Sequence, residues 1–246
     1  MTVSDRSEGP TTPASRPLRA ARLAWRLLRD PPYRHMMRLV WWRKRDTFQP
    51  FNDTQADRYP GIFKFVQSEL GAGRPANILS FGCATGEEVF SLRRYFSRAR
   101  IKGIDINPGN IEAARARLAA TPDAGLSFAL GASTADEPAT HYDAIFCMAV
   151  LRHGSLAEPG VERCDHLLRF EDVARAVGDF HRCLKPGGLL IVRHSNFRLR
   201  DIPAGAHFET VLSVPMRGGK KTPIFGPDNR LMPGVEDPEA VFRKRT

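Results

Sequence analysis

The sequence predicts an α/β fold: a doubly wound, mostly parallel sheet with helices on both faces and an N-terminal helical extension. Three observations carry that expectation. Short apolar runs alternate with amphipathic stretches from residue 76 to residue 193. The first run, 76–81 (ANILSF), feeds a glycine-containing turn that opens into a helix. The run 142–151 (YDAIFCMAVL) is apolar almost without alternation, as a central parallel strand covered on both faces must be.

The elements follow in order. Residues 1–15 are rich in Ser, Thr, Pro and Gly and hold too little apolar surface to offset the entropy of ordering, so a disordered tail is expected. Residues 16–56 read as a basic helical extension. Arg19, Arg22, Arg26 and Arg29 fall on one stripe, and Ala20, Leu23, Ala24, Leu27 and Leu28 on another. Pro31-Pro32 interrupts the pattern, and 33–45 resumes it with Met36, Met37, Val40 and Trp41. The main domain is expected over 57–246. It starts with a helix over 57–70 that Gly71 stops. Helix 87–96 follows the first strand, and strand 100–106 follows that helix. Asn107 and Pro108 form an N-cap and first helical residue for a helix with Ile111, Ala114 and Leu118 inward. Strand 125–130 precedes the central strand. Phe170, Val173, Val177, Phe180 and Leu184 then recur at helical spacing, with Pro186-Gly187-Gly188 expected to end that helix before strand 189–193. In the tail, 208–214 alternates and reads as an antiparallel addition.

Bulk features exclude several classes. The formal net charge of +10 is concentrated: residues 16–45 carry ten basic side chains and one acid, Asp30. The remainder is close to neutral, which argues against a surface built throughout for nucleic acid. No apolar run approaches the roughly 20 residues that span a bilayer. The polar start has no secretory apolar core. Cys83, Cys147, Cys164 and Cys183 have neither zinc-ligand nor C-x-x-C spacing, so no metal site is expected and a reduced, cytoplasmic setting is.

The chemistry concentrates in Ile78-Leu79-Ser80-Phe81-Gly82-Cys83-Ala84-Thr85-Gly86-Glu87-Glu88. A buried strand ends at Gly82, small residues let a ligand approach the backbone, and a helix begins after Gly86. Asp105 closes the second strand at about the offset where an acid grips ribose hydroxyls. A pyrophosphate site would place phosphate on the helix N-terminus, where Glu87 and Glu88 would repel it. A cationic adenosine derivative suits those carboxylates better, and S-adenosylmethionine is one: it has a sulfonium, an ammonium and no phosphate. A tight βα turn with dipole-friendly glutamates is the plain alternative.

These segments, in order over 76–197, resemble class I S-adenosylmethionine-dependent methyltransferases, whose sheet is Rossmann-like. The form GCATGEE is most similar to the chemotaxis receptor methyltransferases, as is LKPGGLLIVRHSN. The resemblance implies that Gly82, Cys83, Ala84, Thr85, Gly86 and Glu87 lie against the methionine part and ribose. It also implies that Asp105 holds the ribose and that Ile106, Ala132 and Ser133 surround adenine. Phe146 and Cys147 would then stand at the mouth of the fourth strand. Ser80 stands where the family often has an acid. Ala132 stands at the usual third-strand acid. The helical domain of the chemotaxis enzymes is not evident.

His153 and His194 follow the fourth and fifth strands and are candidate bases for a protonated acceptor. Structural roles are the competing reading for both, and Asn196 is a candidate for orienting a substrate carbonyl. The expected function is methyl transfer to a small-molecule or glycan-type oxygen. Glutamate methylation of the chemotaxis kind and a non-catalytic cofactor-binding module are the alternatives. For 16–45, a cap over the pocket, contact with anionic membrane, and nucleic acid are the readings, with nucleic acid the weakest.

Overall fold

The computed structural model describes residues 55–215 and 222–246, together with Phe48, Gln49 and isolated positions between 21 and 37. The basic extension therefore lies almost wholly outside the described residues, as does the tail 1–15. Strands β1 (Asn77–Phe81), β2 (Arg100–Asp105), β3 (Leu126–Leu130), β4 (Tyr142–Met148), β5 (Leu184–Arg193), β6 (Phe208–Ser213) and β7 (Glu239–Lys244) form one sheet in the order β3-β2-β1-β4-β5-β7-β6. The first five run parallel, and β7 is antiparallel to both β5 and β6. The winding reverses between β1 and β4, which opens a crevice at their carboxyl ends.

Helices α1 (Pro60–Leu70), α2 (Glu87–Tyr95), α3 (Pro108–Ala120) and α4 (Phe170–Cys183) cover the sheet. The period-2 pleat divides the core cleanly. Ile78, Ala144, Phe146, Leu189 and Ile191 pack with Ile62, Phe63 and Val66 of α1, Val89 and Leu92 of α2, and Ile111 and Ala114 of α3. Their strand neighbours Leu79, Ile145, Cys147, Leu190 and Val192 face the other way, onto Val173, Val177 and Phe180 of α4. Among the described residues that second face has one α-helix, and connecting segments complete it through Leu156, Leu168, Phe197 and Phe225.

Local chemistry matches the predicted boundaries at several ends. Asn107 caps α3, its side chain accepting from Gly109 N at 2.9 Å, with Pro108 as first helical residue. Gly86 takes a left-handed φ of 92° ahead of α2, whose first turn holds Glu87 and Glu88 and whose last turn holds Arg93 and Arg94, in accord with the helix dipole.

Elsewhere the structure differs from expectation. Helix α1 begins at Pro60, since Asp57 is in a turn with φ 54°. Strand β4 stops at Met148, because Ala149 turns to φ 59°. Helix α4 ends at Cys183, and Pro186-Gly187-Gly188 lies inside β5. There the ladder jumps from Tyr142–Leu184 to Ala144–Leu189, so a segment lacking one N–H and two β-carbons is absorbed as an irregularity. Strand β7 was not expected at all: EAVFRK is short and half charged, and it is a strand through pairing on both edges.

Candidate functional site

A cavity of about 320 Å³ occupies the crevice, within the range of small-molecule sites. Three walls are built from sheet ends. The β1–α2 turn contributes Gly82, Cys83, Ala84 and Glu88; the end of β2 gives Asp105, Ile106 and Asn107; the end of β3 gives Gly131 and Ala132. The segment after β4 adds Met148, Ala149, Val150, Arg152 and Gly154, and the approach to α1 adds Asp57, Arg58, Tyr59 and Phe63. Phe48 and Gln49 close the rim.

The turn is shaped by close approach. Gly82 has φ 74°, and a β-carbon there would meet Val150 Cγ2 at 2.3 Å. Gly82 N and Cys83 N both donate to Ile104 O, at 2.8 and 3.0 Å, which ties the turn to β2. Ala84 itself adopts φ 48°.

Asp105 is buried and accepts three hydrogen bonds, which leave acceptor capacity on Oδ2. Its Oδ2 accepts from Ala84 N at 2.9 Å; its Oδ1 accepts from Asn107 N at 2.8 Å and Asn110 Nδ2 at 3.0 Å. Burial pushes its pKa up, and these three donors oppose the rise. A carboxylate so placed joins the ends of β1 and β2 and presents to the cavity a negative edge suited to hydroxyl donors.

Glu88 is the second carboxyl of the cavity. Ser80 Oγ donates to its Oε1 at 2.7 Å, and burial pushes its pKa up to about 7. Ser80 thus serves the neighbouring acid, Glu88. Glu87 is turned away from the lining and accepts from Thr85 Oγ1 at 2.7 Å. The sequence reading chose Glu87 for the ligand and used Glu88 only for its charge. The helical offset of one position, about 100°, is what separates the two.

Of the other predicted residues, Gly82, Cys83, Ala84, Asp105, Ile106 and Ala132 line the cavity together. Thr85, Gly86 and Ser133 do not; Gly86 starts the helix, and Ser133 Oγ accepts from Ala135 N. Phe146 and Cys147 are fully buried within β4, one on Phe63 at 5.7 Å and the other with its thiol pKa driven up by burial. The mouth of β4 lies beyond them, at Met148–Val150. His153 is buried between two lining residues, but its Nδ1 accepts from Ser155 N and caps the 3-10 turn Gly154–Ala157. His194 borders a separate, much smaller cavity, its ring 6.0 Å from that of Tyr59. Asn196 is structural: its Oδ1 accepts from His153 N at 2.8 Å and its Nδ2 donates to Pro223 O at 2.8 Å. No cluster of His, Cys, Asp and Glu fit to hold a metal occurs among the described residues.

The residues that sequence reasoning missed are Arg58, Tyr59, Gln49 and Arg152. Only their positions after β4 and ahead of α1 could have pointed to them, since no motif covers those segments.

The sheet order and the crevice between β1 and β4 are those of a Rossmann-like fold with its ligand site at the carboxyl edge. Residues 79–190 match the family model described as a methyltransferase domain, a segment running from β1 into β5. No curated protein matches the chain. Among solved structures, the chain is similar to the [4+2]-cyclase SpnF (21% identity, TM-score 0.42, 54% of this chain and 43% of that one). It is also similar to Haemonchus contortus phosphoethanolamine N-methyltransferase 2 in complex with S-adenosyl-L-methionine (16%, 0.42, 57% and 29%). A third is geranyl diphosphate C-methyltransferase from Streptomyces coelicolor A3(2) (16%, 0.40, 54% and 42%). The chain spans less than half the length of each of these structures.

Proposed function

We propose that the protein transfers the methyl group of S-adenosylmethionine to an oxygen of a small molecule. The observation that carries this reading is the division of one cavity between two sets of walls. The β1–α2 turn, the β2 end and the β3 end offer what an adenosine sulfonium needs: Asp105 for ribose hydroxyls, Ile106 and Ala132 for adenine, close backbone at Gly82–Ala84, and Glu88 for the ammonium. The walls after β4 and ahead of α1 remain for an acceptor. S-adenosylmethionine supplies a methyl already activated on sulfur, so an acceptor lone pair forms the new bond as the sulfur–carbon bond breaks and its electrons stay on sulfur. The protein's contribution is to align the acceptor oxygen with that methyl at near-attack distance and to keep competing water out. A carboxylate acceptor needs no base; a hydroxyl would need one.

Calorimetric titration of the full chain with S-adenosylhomocysteine tests the cofactor assignment. Binding is expected, and Asp105→Ala is expected to weaken it at least tenfold, since charge-assisted hydrogen bonds are worth roughly 1.5–3 kcal/mol each. Asp105→Asn, which keeps the shape and some of the hydrogen bonds, should fall between. Wild-type affinity in both variants would place the ribose elsewhere.

A further inference from the structure

We infer that Asn110 fixes Asp105 so that one oxygen, Oδ2, is left for the ligand, and that the site therefore holds one ribose hydroxyl and not both. This rests on the S-adenosylmethionine reading above and adds a positioning residue and the selectivity it confers.

An ionised carboxylate has about four acceptor places, two on each oxygen. In Asp105 both places of Oδ1 are taken, by Asn107 N at 2.8 Å and by Asn110 Nδ2 at 3.0 Å. Oδ2 accepts from Ala84 N at 2.9 Å and keeps one place. Ala84 and Asp105 both line the cavity, so the remaining place belongs to the carboxylate edge beside the β1–α2 turn. Gripping two hydroxyls would need a place on each oxygen. Oδ1 would then have to release Asn107 N or Asn110 Nδ2, on residues only 2% and 1% exposed. A buried donor left in that way costs at least as much as the new bond returns.

The donors are also fixed in position. Asn107 is the N-cap of α3: its O accepts from Asn110 N and Ile111 N at 3.1 and 3.2 Å, and its Oδ1 accepts from Gly109 N at 2.9 Å. The turn bearing Ala84 is tied to β2 through Ile104 O, and Gly131 N donates to Asp105 O at 3.0 Å. Asn110 stands at the third helical position, where a capping box places Glu or Gln to accept the N–H of the N-cap residue. Here Asp105 Oδ1 already accepts that N–H, and the third position donates to the same oxygen. A glutamate there would repel Asp105, whereas an amide supports it. The choice of side chain thus serves the acid of the cavity rather than the cap of the helix.

Calorimetric titration of the full chain compares S-adenosylhomocysteine with its 2′-deoxy and 3′-deoxy forms. One deoxy form is expected to bind roughly tenfold more weakly than the parent, through loss of a hydrogen bond to a charged acceptor, and the other within about threefold of it. In Asn110→Leu, close in size and without a donor, Oδ1 regains a place and the carboxylate can turn. The two deoxy forms are then expected to bind within about threefold of each other. Should that variant not fold, Asn110→Ala is read in the same way, and the wild-type comparison needs no variant. A residue that only stabilised α3 would lower melting temperature and affinity for all three ligands alike. Persistence of the wild-type gap in the variant would therefore overturn the inference. So would equal losses, or none, for the two deoxy forms in the wild type. A wild type that bound none of the three would strike the cofactor reading itself, and this inference with it.

Discussion

Glu88 shows how one side chain links stability to binding. Its pKa is raised from 4.5 to about 7 because burial disfavours the charged form, and the Ser80 hydroxyl offsets only part of that. A raised carboxyl contributes stability that is complete below about pH 4.5 and lost as pH rises through 7. An ammonium in the cavity reverses the preference and favours the carboxylate. Affinity for S-adenosylhomocysteine is therefore expected to rise roughly tenfold from pH 6 to 7.5 and then level off, as one proton leaves on binding. Glu88→Gln should flatten that profile and bind more weakly at pH 8. The same variant without ligand should melt higher than wild type at pH 8 and show no such gain near pH 4.5. Calorimetry and melting curves across pH read both signs, and an unchanged binding profile would detach Glu88 from the ammonium.

At the scale of elements, the turn between β1 and α2 is the part most exposed to change. Gly82 needs a left-handed φ, and Val150 stands where its β-carbon would go. Gly82→Ala is expected to cost about 1–3 kcal/mol, or some 2–4 °C in melting temperature for each kcal/mol in a domain of this size. Adding Val150→Ala should recover the part due to the clash and leave the part due to φ. Full recovery would show that backbone strain contributes nothing there. The sequence made this region legible because β1, its small-residue turn, α2 and Asp105 are contiguous or nearly so, and each is signalled by local chemistry. The parallel strands and α4 were legible for the same reason: a period of 2 or 3.6 marks a buried face. What was not legible depends on pairing between distant segments. Strand β7 exists because β5 and β6 flank it, and the Pro186-Gly187-Gly188 irregularity exists because Tyr142 already has a partner in Leu184. The two histidines after strands were legible as candidates only by position; His153 stands between the lining residues Arg152 and Gly154 with its Nδ1 accepting from Ser155 N, and His194 borders the smaller cavity.

At the scale of the whole molecule, the uneven charge sets the remaining question. Ten basic side chains and one acid lie in 16–45, ahead of a near-neutral domain. Within that segment Trp25 is 60% and Leu28 77% exposed at helical positions, and the Arg29 guanidinium lies 5.5 Å over the Trp25 ring. Large apolar side chains left in water beside arginines are what an interfacial helix presents to an anionic bilayer, with each cation near the surface worth about 1 kcal/mol. The full chain is therefore expected to co-sediment with vesicles containing phosphatidylserine and to ignore phosphatidylcholine vesicles, with binding lost as salt shortens the Debye length from about 10 Å at 0.1 M to about 3 Å at 1 M. Replacing Arg19, Arg22, Arg26 and Arg29 by Gln should remove most of that binding and leave affinity for S-adenosylhomocysteine unchanged. A fall in cofactor affinity without any vesicle binding in the wild type would show the opposite arrangement, in which the segment caps the cavity whose rim already includes Phe48 and Gln49.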